Sequence, residues 1–288
     1  MAACMSLSEF VYTVLLRPKP LRALANAFLR KILPGQVTVN RAKIVLNPDD
    51  PVVSGGLTLG VYEREEIAFF QEHFKPDMTF VDVGANVGLY TGMALATPGF
   101  SGSILCVEPD EESRRYLNST IAANLPAPQP SVKICPCAAS NQAGTVPFFR
   151  NPDNHGDNRL YADSLLEEGG SVATETLDAL CAQNGITNIH FLKIDVQGAE
   201  GRVLAGARGI LTASPNVILM TEFWAQGLNR CGSDPADYLA ALESLGFVFQ
   251  NRDGTPIPAA QQKEWILQTG GRHYINLFGF KKEDAGTR

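Results

Sequence analysis

The residues best suited to chemistry fall in one run, Phe80-Val81-Asp82-Val83-Gly84-Ala85-Asn86-Val87-Gly88-Leu89-Tyr90, where an apolar strand enters a glycine turn and then a helix. Gly84 lets the chain turn tightly and keeps side chains away from a bound ligand, and Gly88 is expected to let the helix lie close to the strand. The helix start offers unpaired N–H groups, which suit a carboxylate as well as a phosphate. Glu108 ends a second apolar strand about 20 residues beyond the turn, where a carboxylate accepts both hydroxyls of a ribose. Asp82, at the first strand's tip, is expected near the charged end of the same ligand. A nucleoside with a charged tail meets these requirements.

The spacing is Gly84-x-x-x-Gly88. A dinucleotide pyrophosphate wants its second glycine two positions after the first, where this chain has Asn86. S-adenosylmethionine, with a carboxylate instead of a pyrophosphate, is the ligand the spacing favours. A dinucleotide-dependent oxidoreductase is the alternative.

Methyl transfer from a sulfonium needs an acceptor oxygen held in line and relieved of its proton. Asp195 closes a central strand at the sheet edge where open α/β folds bind ligands, and is the first candidate for base or acceptor-positioning residue. Glu222, ending the neighbouring strand, is a second. The two together would raise one another's pKa or bind a divalent cation, the less favoured option because no third ligand stands at suitable spacing. The polar run Asn151-Pro152-Asp153-Asn154-His155-Gly156-Asp157-Asn158-Arg159 falls between the third and fourth strands, where loops carry specificity. In it, His155 is a candidate base and acceptor contact, and Arg159 a candidate grip on an anionic or hydroxylated acceptor. Trp224, after the fifth strand, is a candidate apolar wall.

The elements that must position these groups alternate strand and helix from Tyr62 onward, which predicts a mostly parallel sheet with helices on both faces. Strands are expected over 79–83, 103–108, 132–135, 189–195, 216–223, 247–250 and 274–281, and helices near 89–96, 111–124, 175–184, 199–212 and 235–245. The last two strands are expected to pair antiparallel, being too close for a crossover helix. Upstream, Val37, Val39, Ile44 and Leu46 flank a turn and read as a hairpin, followed by a loop over 47–60. Residues 7–33 read as two short basic amphipathic helices broken at Pro18 and Pro20. The expected organisation is an appendage over 1–60 and one catalytic domain over 61–288.

With Phe191-Leu192-Lys193-Ile194-Asp195-Val196-Gln197-Gly198-Ala199-Glu200 added, the chain resembles the FkbM-type methyltransferases, whose pattern here is Lys-Ile-Asp-Val-Glu-Gly-x-Glu. Gln197 departs from the glutamate of that pattern, which motivates a further alternative, a non-catalytic S-adenosylmethionine-binding scaffold. The resemblance covers about 57–225. It takes in Tyr62-Glu63, the glycine turn, Val107-Glu108-Pro109, Ala138-Ala139-Ser140 and Thr221-Glu222-Phe223. It implies a Rossmann-like class I fold with strand order 3-2-1-4-5-7-6, and O-methylation of a sugar, glycan or secondary-metabolite hydroxyl. The cofactor contacts it implies include Tyr62, Glu63, Ala85, Asn86, Pro109, Ala138 and Ala139.

Composition narrows the partners. A net charge of −6 over 288 residues supplies no basic field for a nucleic-acid backbone. The six cysteines include no C-x-x-C pair and have no histidine at zinc spacing, so reduced thiols in a cytoplasmic protein are expected. No apolar run approaches the ~18 residues of a membrane span. The basic N-terminal helices are expected to serve as a packing appendage or a homo-oligomer contact, with membrane-surface binding as the alternative.

Overall fold

The computed structural model describes residues 32–152, 154–250, 255–271 and 273–281. The basic helices expected over 7–33 therefore lie outside the described residues, apart from their last two positions. The chain opens with a hairpin, β1 (Gln36–Val39) and β2 (Ala42–Val45), then α1 (Pro51–Leu59), α2 (Arg64–His73), β3 (Thr79–Val83), α3 (Leu89–Leu95), β4 (Ser103–Val107), α4 (Glu111–Asn124) and β5 (Ser131–Cys135). There follow β6 (Ala138–Ala139), β7 (Gly144–Arg150), β8 (Glu167–Glu175), α5 (Leu177–Gln183), β9 (Phe191–Ile194), α6 (Glu200–Ala205), α7 (Arg208–Ala213) and β10 (Val217–Phe223). The last elements are α8 (Ala225–Arg230), α9 (Pro235–Ser244), β11 (Phe247–Phe249), α10 (Ala259–Gln268) and β12 (Ile275–Lys281).

Seven strands form the main sheet in the order β5-β4-β3-β9-β10-β12-β11. Numbered along the chain, this is the expected 3-2-1-4-5-7-6. The pairs from β5 to β10 are parallel, and β12 runs antiparallel to both β10 and β11. A strand covered on both faces must be apolar at nearly every position, and Phe80, Val81 and Val83 on β3 all have no exposed surface. Successive residues feed opposite sides: Val81, Val83, Leu105 and Leu192 join the core containing α5 to α7, α9 and α10, while Phe80, Ile104, Cys106 and Phe191 join the core with α2 to α4. Ala42, Ile44, Leu46, Val53 and Leu57, from the hairpin and α1, share that second core.

The structure departs from the expected elements in four places. The stretch over 47–60, expected to be a loop because of its Gly, Pro and Asp content, contains the nine-residue α1. Asp50 caps it through a hydrogen bond from the Val53 amide, Pro51 opens it, and Gly60 ends it in the left-handed region. The helix expected over 199–212 is two short helices. A Cβ at Gly206, between them, would sit 2.0 Å from the Ser140 carbonyl oxygen. The last two strands do pair antiparallel, yet α10 lies between them. The polar run over 151–159 is the crown of a β7–β8 hairpin, closed by a Phe149–Arg159 bridge and belonging to a separate three-stranded sheet, β6-β8-β7. Its alternation was masked by Pro147 and by the register shift at that point.

Candidate active site

A cleft of about 850 Å³, open mouth included, runs along the C-terminal edge of β4, β3 and β9. Ala138, Ala139 and Phe148 line one end; Lys193, Asp195 and Gln197 line the other. Between them stand Gly84, Ala85, Asn86, Glu108 and Pro109, with Tyr62, Glu63, His155 and Gly156 forming further wall.

The glycine turn is shaped by its neighbours. Gly84 has φ +80°, and a Cβ there would stand 2.0 Å from the backbone oxygen of Asp195. The residue that must be absent is thus one that would collide with the adjoining strand end, and not only with a ligand. Gly88, at φ +86°, would place a Cβ 2.7 Å from Leu117 Cδ1, so it admits α4 rather than bringing helix to strand. The amides that open α3 meet no capping side chain, as expected of a helix start, while those of the turn before it are in use. Gly84 and Ala85 donate to the Val107 carbonyl, Gly88 to that of Ala85, and Asn86 to Glu108 Oε2 at 2.8 Å.

Glu108 faces the cleft. Its other oxygen accepts the Asp110 amide at 2.8 Å, which leaves each carboxylate oxygen a further lone pair. Burial pushes its carboxyl up to about 7 despite those two amide bonds. Two orphaned polar atoms also belong to the cleft: Asn86 Oδ1 and Asn158 Nδ2 are buried and have no partner among the described residues. A buried donor and a buried acceptor left unpaired each carry a desolvation cost that a polar ligand removes.

Asp82 is not among the cleft residues. It is 1% exposed and accepts the Thr91 hydroxyl at 2.7 Å, pointing beneath the sheet edge where β3 and β9 set it beside Lys193. Its side chain shares the face of β3 that carries Phe80, packed toward α3, and its Oδ1 is buried with no partner among the described residues. Burial raises its pKa, and Lys193 opposes that rise.

At the other end the polar groups hold one another. Lys193 Nζ reaches Asp195 Oδ2 at 3.1 Å and lies over the Tyr90 ring, 5.3 Å from its centroid. Gln197 Nε2 donates to both Asp195 Oδ1 at 2.9 Å and Glu222 Oε2 at 3.0 Å. Glu63 accepts the Tyr90 hydroxyl at 2.7 Å, and burial pushes its carboxyl up to about 7, with Lys193 pulling it down. Burial, then the charge of Asp195, drives Glu222 well above the usual carboxylate range. The network hangs on a turn whose backbone is left-handed at Gln197 (φ 54°) and Gly198 (φ 104°). Glu200 Oε1 fastens that turn by accepting the Val196 and Gly198 amides, and burial pushes its carboxyl up to about 7.

Gln197 also lines a second cavity of about 640 Å³, together with Asp157, Arg159, Trp224, Gln226 and Tyr274. Arg159 lies there and not in the main cleft, and it is fully engaged: Asp157 Oδ1 accepts from its Nε at 2.7 Å, and Asp163 stands 3.5 Å from its Nη1. An anion entering this cavity would have to displace those carboxylates. Trp224 is only 5% exposed, with the Arg159 guanidinium 4.8 Å above its ring and Gly227 packed against it. Tyr274, 57% exposed, is the open aromatic face. Among the described residues, no group of three or more His, Cys, Asp or Glu side chains is arranged to hold a metal ion.

The model of the methyltransferase FkbM domain matches residues 82–249, more than half of the chain. This chain belongs to the FkbM methyltransferase family. That is a family of methyltransferases and not of dinucleotide-dependent oxidoreductases, which removes the ground for the dinucleotide alternative. Its relatives include the 2-O-methyltransferase NoeI of Sinorhizobium fredii, 26% identical over 173 residues, covering 54% of this chain and 66% of that protein. Methyltransferase sdnD of Sordaria araneosa is 27% identical over 155 residues, covering 44% and 59%. The chain thus spans less than two thirds of the length of these curated relatives. Among solved structures, it is similar to methyltransferase FkbM from Methylobacillus flagellatus, at 16% identity and a TM-score of 0.39, covering 91% of this chain and 60% of that one. A geranyl diphosphate methyltransferase in complex with SAM matches at 12% identity and a TM-score of 0.40, covering 81% and 90%. No described helix is long and apolar enough to cross a membrane.

Sequence reasoning gave Lys193, Tyr90, Asn158 and Glu200 no role of their own. Lys193 carried a readable signal: a lysine within a buried apolar strand, two residues before Asp195 and so on the same face.

Proposed function

We propose that this chain is an S-adenosylmethionine-dependent methyltransferase that transfers the methyl group to a hydroxyl oxygen of a small-molecule or glycan acceptor. The observation that carries the reading is the position of Gln197, on the wall shared by the cleft and the second cavity and bonded to two carboxylates. The name of the relative NoeI, a 2-O-methyltransferase, points the same way.

In this reading Glu108 accepts the ribose hydroxyls, and Ala138, Ala139 and Pro109 pack against the base. Asn86 and Asn158 offer their orphaned atoms to the cofactor, while Tyr62 and Glu63 bound its amino-acid end. Glu108 at the end of β4 would hold the nucleoside, and Asp195 and Gln197, at the end of β9 two strands away, would flank the methyl-bearing end. Bound S-adenosylmethionine supplies the electrophilic methyl. Asp195 accepts the acceptor's proton, steadied on one oxygen by Lys193 and on the other by Gln197. Glu222, kept protonated by burial, anchors the Gln197 amide and leaves Asp195 as the working carboxylate. The acceptor approaches through the second cavity, along Tyr274 and Gln226. Because Arg159 is committed to Asp157 and Asp163, an uncharged hydroxyl compound suits that route better than an anion.

Calorimetry with S-adenosylhomocysteine tests the cofactor site: no binding at millimolar ligand removes it. Incubation with methyl-labelled cofactor and a panel of neutral glycosides and hydroxylated metabolites tests the acceptor. Label recovered only in N-methyl or C-methyl products would overturn the O-methylation reading.

A further inference from the structure

His155 stands at the cleft wall, away from the Asp195 network. Its Nδ1 lies 3.1 Å from Asn47 Nδ2. The orientation of that amide is fixed by its other bonds, since Asn47 Oδ1 accepts the Asp49 amide at 2.9 Å and Nδ2 also reaches Glu112 Oε1 at 3.3 Å. An amide nitrogen only donates, so His155 Nδ1 must accept and the ring proton of the neutral imidazole sits on Nε2. A base would need that nitrogen bare.

The backbone is tied down as well. The His155 amide donates to Asp50 Oδ2 at 3.0 Å, and Asp50 Oδ1 caps α1 by accepting the Val53 amide at 2.9 Å. Asp50 has no exposed surface. Next along, Gly156 lies so close to Val53 and Asn86 that a Cβ would stand 3.1 and 3.4 Å from their side chains. The crown of the β7–β8 hairpin is therefore closed over the glycine turn. Asn158, two residues further, brings the orphaned Nδ2 donor to the same wall.

We propose that His155 is a cofactor-binding residue that donates from Nε2, and that the turn over 154–158, latched by Asn47 and Asp50, is the outer wall of the cofactor cleft. This rests on the cofactor reading above and takes His155 out of the acceptor chemistry. Two donors, His155 Nε2–H and Asn158 Nδ2, would face oxygen or ring-nitrogen acceptors of the nucleoside.

The test is S-adenosylhomocysteine titrated calorimetrically into the wild type, His155→Ala, His155→Gln and Asn47→Ala. The inference expects His155→Ala to bind at least about 10-fold more weakly, His155→Gln to recover part of the loss through its amide donor, and Asn47→Ala to weaken binding although that side chain does not line the cleft. In the wild type, the 15N spectrum of the four histidines should show both His155 and His190, whose Nδ1 accepts the Thr79 amide, held as Nε2–H tautomers, with one of those two signals shifting on ligand addition. Wild-type binding with a His155→Ala affinity within 2-fold overturns the inference alone. So does a histidine spectrum that ligand binding leaves unmoved, a measurement that holds even if the variants misfold. A wild type that binds nothing overturns the cofactor reading and the inference with it.

Discussion

The two halves of the cleft hold their polar groups in opposite ways. Over β3 and β4, Glu108 is gripped by main-chain amides of Asn86 and Asp110, and the glycine turn by carbonyls of the neighbouring strand. Over β9 and β10, Asp195, Gln197, Glu222 and Lys193 are gripped by one another's side chains. A backbone-held site is fixed by the fold and not by the identity of surrounding side chains, so it suits a ligand that never changes. A side-chain network can be retuned one residue at a time while the sheet stays intact, which suits the acceptor and its proton. Main-chain donors also cannot titrate, whereas Glu222 in the second half feels the charge of Asp195.

The comparison can be broken most forcefully at Gly84. Gly84→Ala adds both a left-handed alanine and a methyl 2.0 Å from the Asp195 carbonyl oxygen, so urea denaturation should show a loss above about 3 kcal/mol. A smaller loss would mean that the turn is held less rigidly than the second half. Asp195→Ala should lower methyl transfer at least ~100-fold while leaving S-adenosylhomocysteine affinity within about 3-fold of wild type. Equal losses in both would erase the division of labour. Glu108→Ala should weaken the same ligand by about 1–3 kcal/mol in calorimetry, because a charge-assisted acceptor is lost and two amides are left bare. The mildest test is pH. Glu63, Glu108 and Glu200 all have native pKa values near 7 against 4.5 in the ordinary state, and Asp50 about 6 against 3.8. Raised acid pKa values mean that the folded chain binds more protons. Their stabilising contribution is complete below about 4 and is lost as pH climbs through 7. Urea titrations of the ligand-free protein should thus show it at least ~1 kcal/mol more stable at pH 5 than at pH 8.

The first half of the cleft was legible in the sequence because each of its parts leaves a local mark: apolar strand, glycine spacing, carboxylate at the next strand's end. The tight turn expected at Gly84 is there, at φ +80°, but the atoms that also exclude a side chain at Gly84 and Gly88 belong to Asp195 and Leu117, distant in sequence. The groups that meet Asp82 were hidden for a similar reason, since Lys193 comes from a strand distant in the chain. In the second half the pairing of Asp195 with Glu222 could be anticipated from two strand ends. The amide bridging them could not, because it needs a left-handed residue at Gln197, a conformation that side chains rarely announce. Helix α1 escaped notice because glycines at Gly55 and Gly56 mimic a loop; Gly56 is there to admit the Tyr62 ring, 3.2 Å from where a Cβ would stand.

The placement of β12 has a consequence for how the protein is made. Among the described residues, β11 pairs with no strand but β12, and β12 is wedged between it and β10. While a ribosome is still translating α10, the six strands β3, β4, β5, β9, β10 and β11 have all been synthesised, yet the last of them has no seat. The nascent sheet must wait with the flank of β10 uncovered, and a single late segment then zips two seams at once.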